Sequence, residues 1–292
     1  MATIAKTRQP PANLKAAAGS RAEEIFDPEV GRARGVLMPP PEEGRVRHTR
    51  RRPPADLTEW IEHFWSVSWD LRGCDPFLQQ TLPHPNIHVV FEASRSGIAG
   101  VTTKRFSRTL EGESRVFGIK FRPGGFRPFL GKPVATLNDR VVPIETVFGS
   151  DGAGWESGML SLKEEAQIET ASAFLRARLP EADENVALAT RLVVLILEDR
   201  EIRSVSDLTR CTKMGTRSLQ RLFRDYVGAS PKWVIRRYRL HELVERFKAG
   251  EALNGAQMAL DLGYSDQAHL INDFRSIVGY SPSRYRSLLR NA

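Results

Sequence analysis

Three side chains at helical spacing, Arg217, Gln220 and Arg221, hold the most distinctive chemistry of this 292-residue sequence. An Arg guanidinium can donate two parallel hydrogen bonds to O6 and N7 of guanine, and a Gln amide can grip N6 and N7 of adenine, in the major groove. Arg224 extends the same polar face, while Leu219, Leu222, Phe223 and Tyr226 recur at i, i+3, i+4 and i+7 as an apolar stripe. Further along stands a second outward set: Gln267, Ala268, His269, Ile271 and Asn272, followed by Arg275. Ala268 and Ile271 suit thymine methyl groups, and Asn272 suits adenine. A single helix of this kind reads equally well as an amphipathic helix with a solvated polar face. The second copy is what favours base reading.

Other residues invite different chemistry. His84 and His88, with His63 nearby, have the spacing of one strand face, as a metal pair would. No cysteine completes a set and Pro85 intervenes, so ordinary histidines are expected and no metal is called for. Arg122-Pro-Gly-Gly-Phe126 reads as a β-turn in preference to an anion-binding loop. Trp60, Phe64, Trp65, Trp69 and Phe77 could line a ligand pocket. The simpler expectation is core packing, with Trp60, Phe64 and Trp65 as the stripe of a short helix. Nothing resembles a nucleophile–base set or a cofactor loop, so the chain reads as a non-enzyme without cofactor.

The elements that position the two polar sets follow from an internal repeat. Leu219-Gln-Arg-Leu-Phe-Arg-Asp-Tyr-Val-Gly-Ala-Ser-Pro231 overlays Leu270-Ile-Asn-Asp-Phe-Arg-Ser-Ile-Val-Gly-Tyr-Ser-Pro282 at a constant offset of 51 residues. In the first copy a short helix over Val205 to Cys211, a turn to Gly215 and a helix from Thr216 to Val227 are expected, closed by Gly228. In the second, Ala256 to Leu262 is the short helix, and Ser265 or Asp266 caps a helix over Gln267 to Val278. Between the copies, Pro231 to about Ala249 reads as one long helix. At 1.5 Å per residue it spans about 27 Å, near the ~34 Å of one DNA turn.

Composition and charge bound the remainder. From Arg203 to Arg239 there are ten Lys or Arg residues against two acids, an excess equal to the net +8 of the whole chain. A second basic run, Arg45 to Arg52, reads as a solvated linker or strand edge in preference to a DNA arm. The expected organisation is α+β in two domains: a flexible leader over 1–44, a β-rich sensor or dimerisation domain over 45–158, a helical connector over 159–182 with its helix near Leu160 to Leu179, and an all-α domain over 183–292 with two helix-turn-helix units. Cys74 and Cys211 lie far apart, no run approaches the ~18 apolar residues of a membrane span, and Met1 to Ala18 lacks a signal-peptide core. A cytoplasmic protein, nucleoid-associated when on DNA, is therefore expected.

With these residues in view, the stretch 183–292 resembles the AraC/XylS family of bacterial transcription regulators. The resemblance rests on Leu219-Gln-Arg-Leu-Phe223, Gly228-Ala-Ser-Pro231, Ala259-Leu-Asp-Leu-Gly-Tyr264, Asp266-Gln-Ala-His-Leu270, Phe274-Arg275 and Gly279-Tyr-Ser-Pro-Ser-Arg-Tyr-Arg286. It implies a seven-helix domain that inserts two helices into the major groove. It places base contacts on Arg217, Gln220, Arg221, Gln267, Ala268, His269, Ile271 and Asn272. Phosphate contacts are expected from Thr216, Arg224, Arg236, Arg284 and Arg286. Two positions depart from the pattern: Gly215 stands where Ser is frequent, and Asn272 where Arg is common. The N-terminal half is similar to a sensor-type domain found ahead of some such regulators, through Leu82-Pro-His-Pro-Asn-Ile-His-Val-Val-Phe-Glu92, Gly118-Ile-Lys-Phe-Arg-Pro-Gly-Gly-Phe126, Phe129-Leu-Gly131 and Leu137. The implied partners are double-stranded DNA, a small-molecule effector of unassigned chemistry and RNA polymerase, with no membrane. The chain would act as a monomer or homodimer.

Overall fold

The computed structural model describes residues 24–26, 35–38, 44–251 and 254–290. Its N-terminal half is built on a seven-stranded sheet in the order β1-β2-β3-β8-β5-β6-β9, where β1 is Glu24–Phe26, β2 Val46–Arg51, β3 Ile61–Asp70, β5 His88–Glu92, β6 Gly97–Ala99, β8 Glu113–Phe121 and β9 Val141–Val142. A separate two-stranded ribbon pairs β4 (Phe77–Thr81) with β7 (Phe106–Leu110). All pairs are antiparallel except β1 with β2.

Alternation along the central strands gives the sheet two unlike faces. On one, Phe64, Ile119 and Val89 lie side by side on β3, β8 and β5, and Phe117 stacks on both Phe64 and Phe91 at 6.0 Å. On the other face, His63, Lys120 and His88 form a cross-strand row, and Trp65 lies across Gly118 so closely that a Cβ there would enter the indole ring. Helix α1 (Arg127–Leu130) follows the turn after β8. Helices α2 (Glu145–Glu156) and α3 (Glu164–Arg176) cover the apolar face, where Trp155 stacks on Phe174 at 3.9 Å and meets Phe91 edge-on at 5.0 Å. The Glu164 carboxylate pins the start of α3 to the sheet, accepting a 2.8 Å hydrogen bond from Ser66 and pairing with Arg51 at 3.0 Å.

Two sequence expectations are corrected by the structure, and one helix was not expected. The segment Leu57 to Trp65 is not a short helix: a single 3-10 turn at Ala55–Leu57 leads into strand β3. Pairing with β2 on one side and β8 on the other outweighs the helical spacing of the aromatic residues. Phe64 and Trp65 consequently point to opposite faces, although Trp60 and Phe64 are buried in the core. The connector is likewise not one helix from Leu160. It is a 3-10 turn, Met159–Ser161, followed by α3, whose Ala171 and Leu175 are buried in a core that runs from the apolar face of the sheet into the first helices of the C-terminal half. Helix α2 was not foreseen, because Gly149, Gly152 and Gly154 argue against a helix, and Gly149 does bend it with φ 62°.

The leader of residues 1–44 falls mostly outside the described residues, but two pieces are placed rather than free. Glu24–Phe26 runs parallel to β2. Leu37 is buried beside Leu82 in the core of the helical half, its amide donating to the Gln80 carbonyl (2.9 Å). An apolar side chain in a Pro- and Gly-rich stretch has found its partners about 45 and more than 200 residues away, as Tyr285 shows by donating to the Leu37 carbonyl at 2.8 Å.

Burial holds several histidines of the polar face neutral. His48 and His88 are lowered to about 3 and His63 to about 4, first by desolvation and then by cations that include Arg50 and Lys120. Their ordinary value is 6.5, so below it the unfolded chain takes up protons that the folded chain refuses. The associated stability is present above pH ~6.5 and is lost as pH falls toward ~3. Thermal unfolding at pH 7.5 and pH 5.0 should therefore show a lower midpoint at pH 5.0. Equal midpoints would remove the histidines from the account.

Candidate nucleic-acid interface

The helical half begins with α4 (Glu184–Glu198), capped by Asp183, whose carboxylate also accepts from the Tyr226 hydroxyl at 2.6 Å. Helix α5 (Val205–Thr212) starts from a capping box in which Ser204 and Asp207 satisfy each other's backbone amides. Lys213 then turns the chain in the left-handed region, and Gly215 caps α6 (Thr216–Leu222). The helix expected to run to Val227 changes character at Phe223: Phe223–Val227 is a π turn, in which the Gly228 amide reaches the Phe223 carbonyl at 2.8 Å. Ser230 caps α7 (Pro231–Lys248), the single helix that joins the two units. The second unit comprises α8 (Gly255–Asp261) and α9 (Gln267–Val278), followed by α10 (Pro282–Arg290).

In α6, Leu219 and Leu222 are buried while Thr216, Arg217, Gln220 and Arg221 are exposed, as is Arg224 in the π turn that follows. In α9, Leu270, Phe274, Ile277 and Val278 are buried; Gln267, Ala268, His269, Asn272 and Arg275 are exposed, and Ile271 is half-buried. Of the two residues proposed as its cap, Asp266 accepts from the His269 amide at 2.8 Å, and that bond holds its carboxyl below the usual carboxylate range. His269 stands edge-on to Tyr264 at 5.2 Å, which orients its ring on the open side of the helix.

The cations group differently from their count in the sequence. Arg237 and Arg239 are buried: Arg237 donates to the Pro83 carbonyl (2.6 Å) and to His84, and Arg239 donates to the carbonyls of Ile196 (2.6 Å) and Asp199 (3.0 Å) at the end of α4. They are structural, so the basic excess over 203–239 overstates the charge open to a polyanion. Arg236 is half-buried and ion-paired with buried Asp273, tying α7 to α9. Arg224 pairs with Asp225 at 3.1 Å, Arg284 is exposed, and Arg286 lies over the Phe247 ring. Lys213 and Lys232, which the reading by motif passed over, are exposed at the end of α5 and in the first turn of α7.

The other candidates resolve as packing. His88 accepts from the Trp65 indole N–H at 3.2 Å, and His84 accepts from Arg237. Among the described residues no three His, Cys, Asp or Glu side chains are grouped so as to hold a metal ion. Arg122 to Gly125 is a turn, closed by the Gly125 amide on the Arg122 carbonyl (2.9 Å) and held to Thr58 by the Arg122 side chain. No helix among the described residues is long and apolar enough to cross a membrane.

Two repeated helix pairs, each exposing polar side chains on its second helix and joined by one continuous helix, define a double helix-turn-helix domain. Comparison with known proteins makes this more particular. Residues 208–287 match the model of a helix-turn-helix domain, and residues 49–143 match that of a domain of unknown function (DUF6597). An uncharacterized HTH-type transcriptional regulator of Haemophilus influenzae is 25% identical over 99 residues, 34% of this chain. The match spans only 33% of that protein's length. Among solved structures, the xylose-binding transcription activator xylR is similar at 17% identity and a TM-score of 0.28, over 37% of this chain and 27% of that one. ToxT from Vibrio cholerae is similar at 12% identity and a TM-score of 0.35, over 77% of this chain and 98% of that one. At these scores the structural likeness is remote.

Proposed function

We propose that this protein is a sequence-specific DNA-binding transcription regulator. Helix α6 reads one major-groove segment through Arg217, Gln220 and Arg221, and α9 reads the next through Gln267, Ala268, His269, Ile271 and Asn272. Phosphate contacts from Thr216, Arg224, Arg284 and Arg286, joined by Lys213 and Lys232, set the register. Arg236 serves indirectly, by holding α9 against α7. The observation that carries the reading is the pair of exposed, base-competent helices on two repeats joined by α7. The N-terminal domain controls activity through a small-molecule effector or by self-association, RNA polymerase is the downstream partner, and no catalysis is involved.

Selection of bound fragments from a random-sequence duplex pool, with the full-length protein, should enrich a site of two adjacent segments. A salt titration on that site distinguishes DNA reading from a protein-only interaction surface. With four or five phosphates neutralised, log K should fall against log salt with a slope of about −4. A flat dependence, with no sequence enriched, would overturn the proposal.

A further inference from the structure

The C-terminal ends of the two recognition helices are held by one piece of the N-terminal domain, at positions related by the internal repeat. The first recognition helix ends at Gly228 and the second at Gly279, both with φ 85°, one repeat length apart. Such ends leave carbonyls without intrahelical partners and carry partial negative charge. The Asn138 side-chain amide donates to the Gly228 carbonyl at 2.5 Å, and a Cβ at Gly228 would press on Val134, Asn138 and Val101. At the other end, the Arg105 guanidinium donates to the Val278 carbonyl at 3.1 Å, occupies the space beside Gly279 and covers the Tyr280 ring at 4.8 Å.

Arg105 and Asn138 belong to one rigid support. The Asp139 carboxylate accepts from the Thr103 amide at 2.8 Å and from its hydroxyl, and the Asp139 amide donates to the Val101 carbonyl at 3.0 Å. Asp139 is one of two non-glycine residues among those described with positive φ, at 54°. A conformation of that kind persists where surrounding bonds over-determine it. The support therefore resists changes in the separation of its two contacts. Its bonds to the Gly228 and Val278 carbonyls lie at the far ends of the helices, and Arg217, Gln220, Arg221, Gln267 and His269 are exposed. The contact is thus compatible with DNA in both grooves.

We infer that Arg105 and Asn138 are positioning residues that fix the spacing and relative orientation of the two DNA-reading helices, so that the N-terminal domain sets which separation of the two segments is bound. The inference rests on the assignment of α6 and α9 as DNA readers. It gives the N-terminal domain a direct route to DNA choice: whatever shifts the 101–105 or 134–139 segment shifts both readers together.

The test uses the full-length protein and the duplex it selects, resynthesised with one to three base pairs inserted or deleted between the segments. The wild type should prefer its own spacing by ~10-fold or more, the range of a single mismatch. The double variant Arg105→Ala, Asn138→Ala should lose most of that preference, to within ~3-fold, while affinity for the isolated first segment stays unchanged. Arg105→Lys, which still donates to the carbonyl, should restore a sharper profile. A spacing profile identical to wild type would overturn the inference. Should the wild type select no sequence, the DNA-reading assignment fails separately, and hydrogen exchange then judges the clamp. Amides at 228–230 and 279–281 should exchange faster in the double variant; equal exchange rejects it.

Discussion

Replacing Arg217 and Arg221 together by Ala should abolish most of the preference for the selected site, a loss of about 2–6 kcal/mol at ~1–3 kcal/mol for each bidentate contact. Both side chains are exposed and lie four residues apart on one face of α6, with Gln220 beside them. The loss falls on specificity because a guanidinium reads the O6 and N7 pattern of guanine, which a scrambled duplex does not present at the same place. Stability should be nearly untouched, since neither side chain is buried and exposed substitutions of this kind usually change it by less than ~0.5 kcal/mol. Arg224→Ala is the informative contrast. Its guanidinium pairs with Asp225, and its removal should weaken all duplexes alike by less than ~1 kcal/mol. Fluorescence anisotropy on selected and scrambled duplexes separates the two patterns. A double variant that still discriminates between them would take α6 out of base reading.

Phe274→Ala should cost about 3–5 kcal/mol of stability, the range for a large aromatic side chain removed from a packed core. Phe274 is fully buried, with Phe247 at 5.9 Å and Tyr285 at 6.0 Å between ring centroids. Those rings come from α7 and α10, so the cavity would open where α7, α9 and α10 meet. Rigid neighbours that also pack Leu270, Leu243 and Ile277 have little freedom to collapse into it. The second reader should suffer most: contacts from Gln267 to Asn272 weaken while binding to the first segment survives. Denaturant unfolding followed by circular dichroism measures the first effect, and binding to each isolated segment measures the second. A stability loss under ~1 kcal/mol would mean that the second unit is not held together by this cluster.

The histidine and spacing predictions depend on contacts of a different kind, between residues far apart in the chain. Arg237 illustrates why they were not legible. In the sequence it is one of ten cations in a basic stretch. In the fold it is buried against Pro83 and His84, some 150 residues away. Residue type alone cannot separate the two fates, because charge reports on a partner only when the side chain reaches solvent. Leu57 to Trp65 shows the same limit in secondary structure. Its aromatic spacing fits a helix, and only the presence of β2 and β8 on either side makes it a strand.

What the sequence determined by itself is the local grammar of the helical half. The cap at Asp266, the stop at Gly228 and the buried stripes of α6 and α9 each involve residues within about one or two turns of each other, and the 51-residue repeat writes the same pattern twice. Helix periodicity and capping act over that distance, so they can be read in line. Tertiary structure decided which cations remain free, which face each aromatic residue of β3 takes, and that Arg105 and Asn138 meet the ends of both recognition helices. These outcomes depend on chain segments brought together by burial of apolar surface, a non-directional force that leaves no spacing in the sequence to mark its partners.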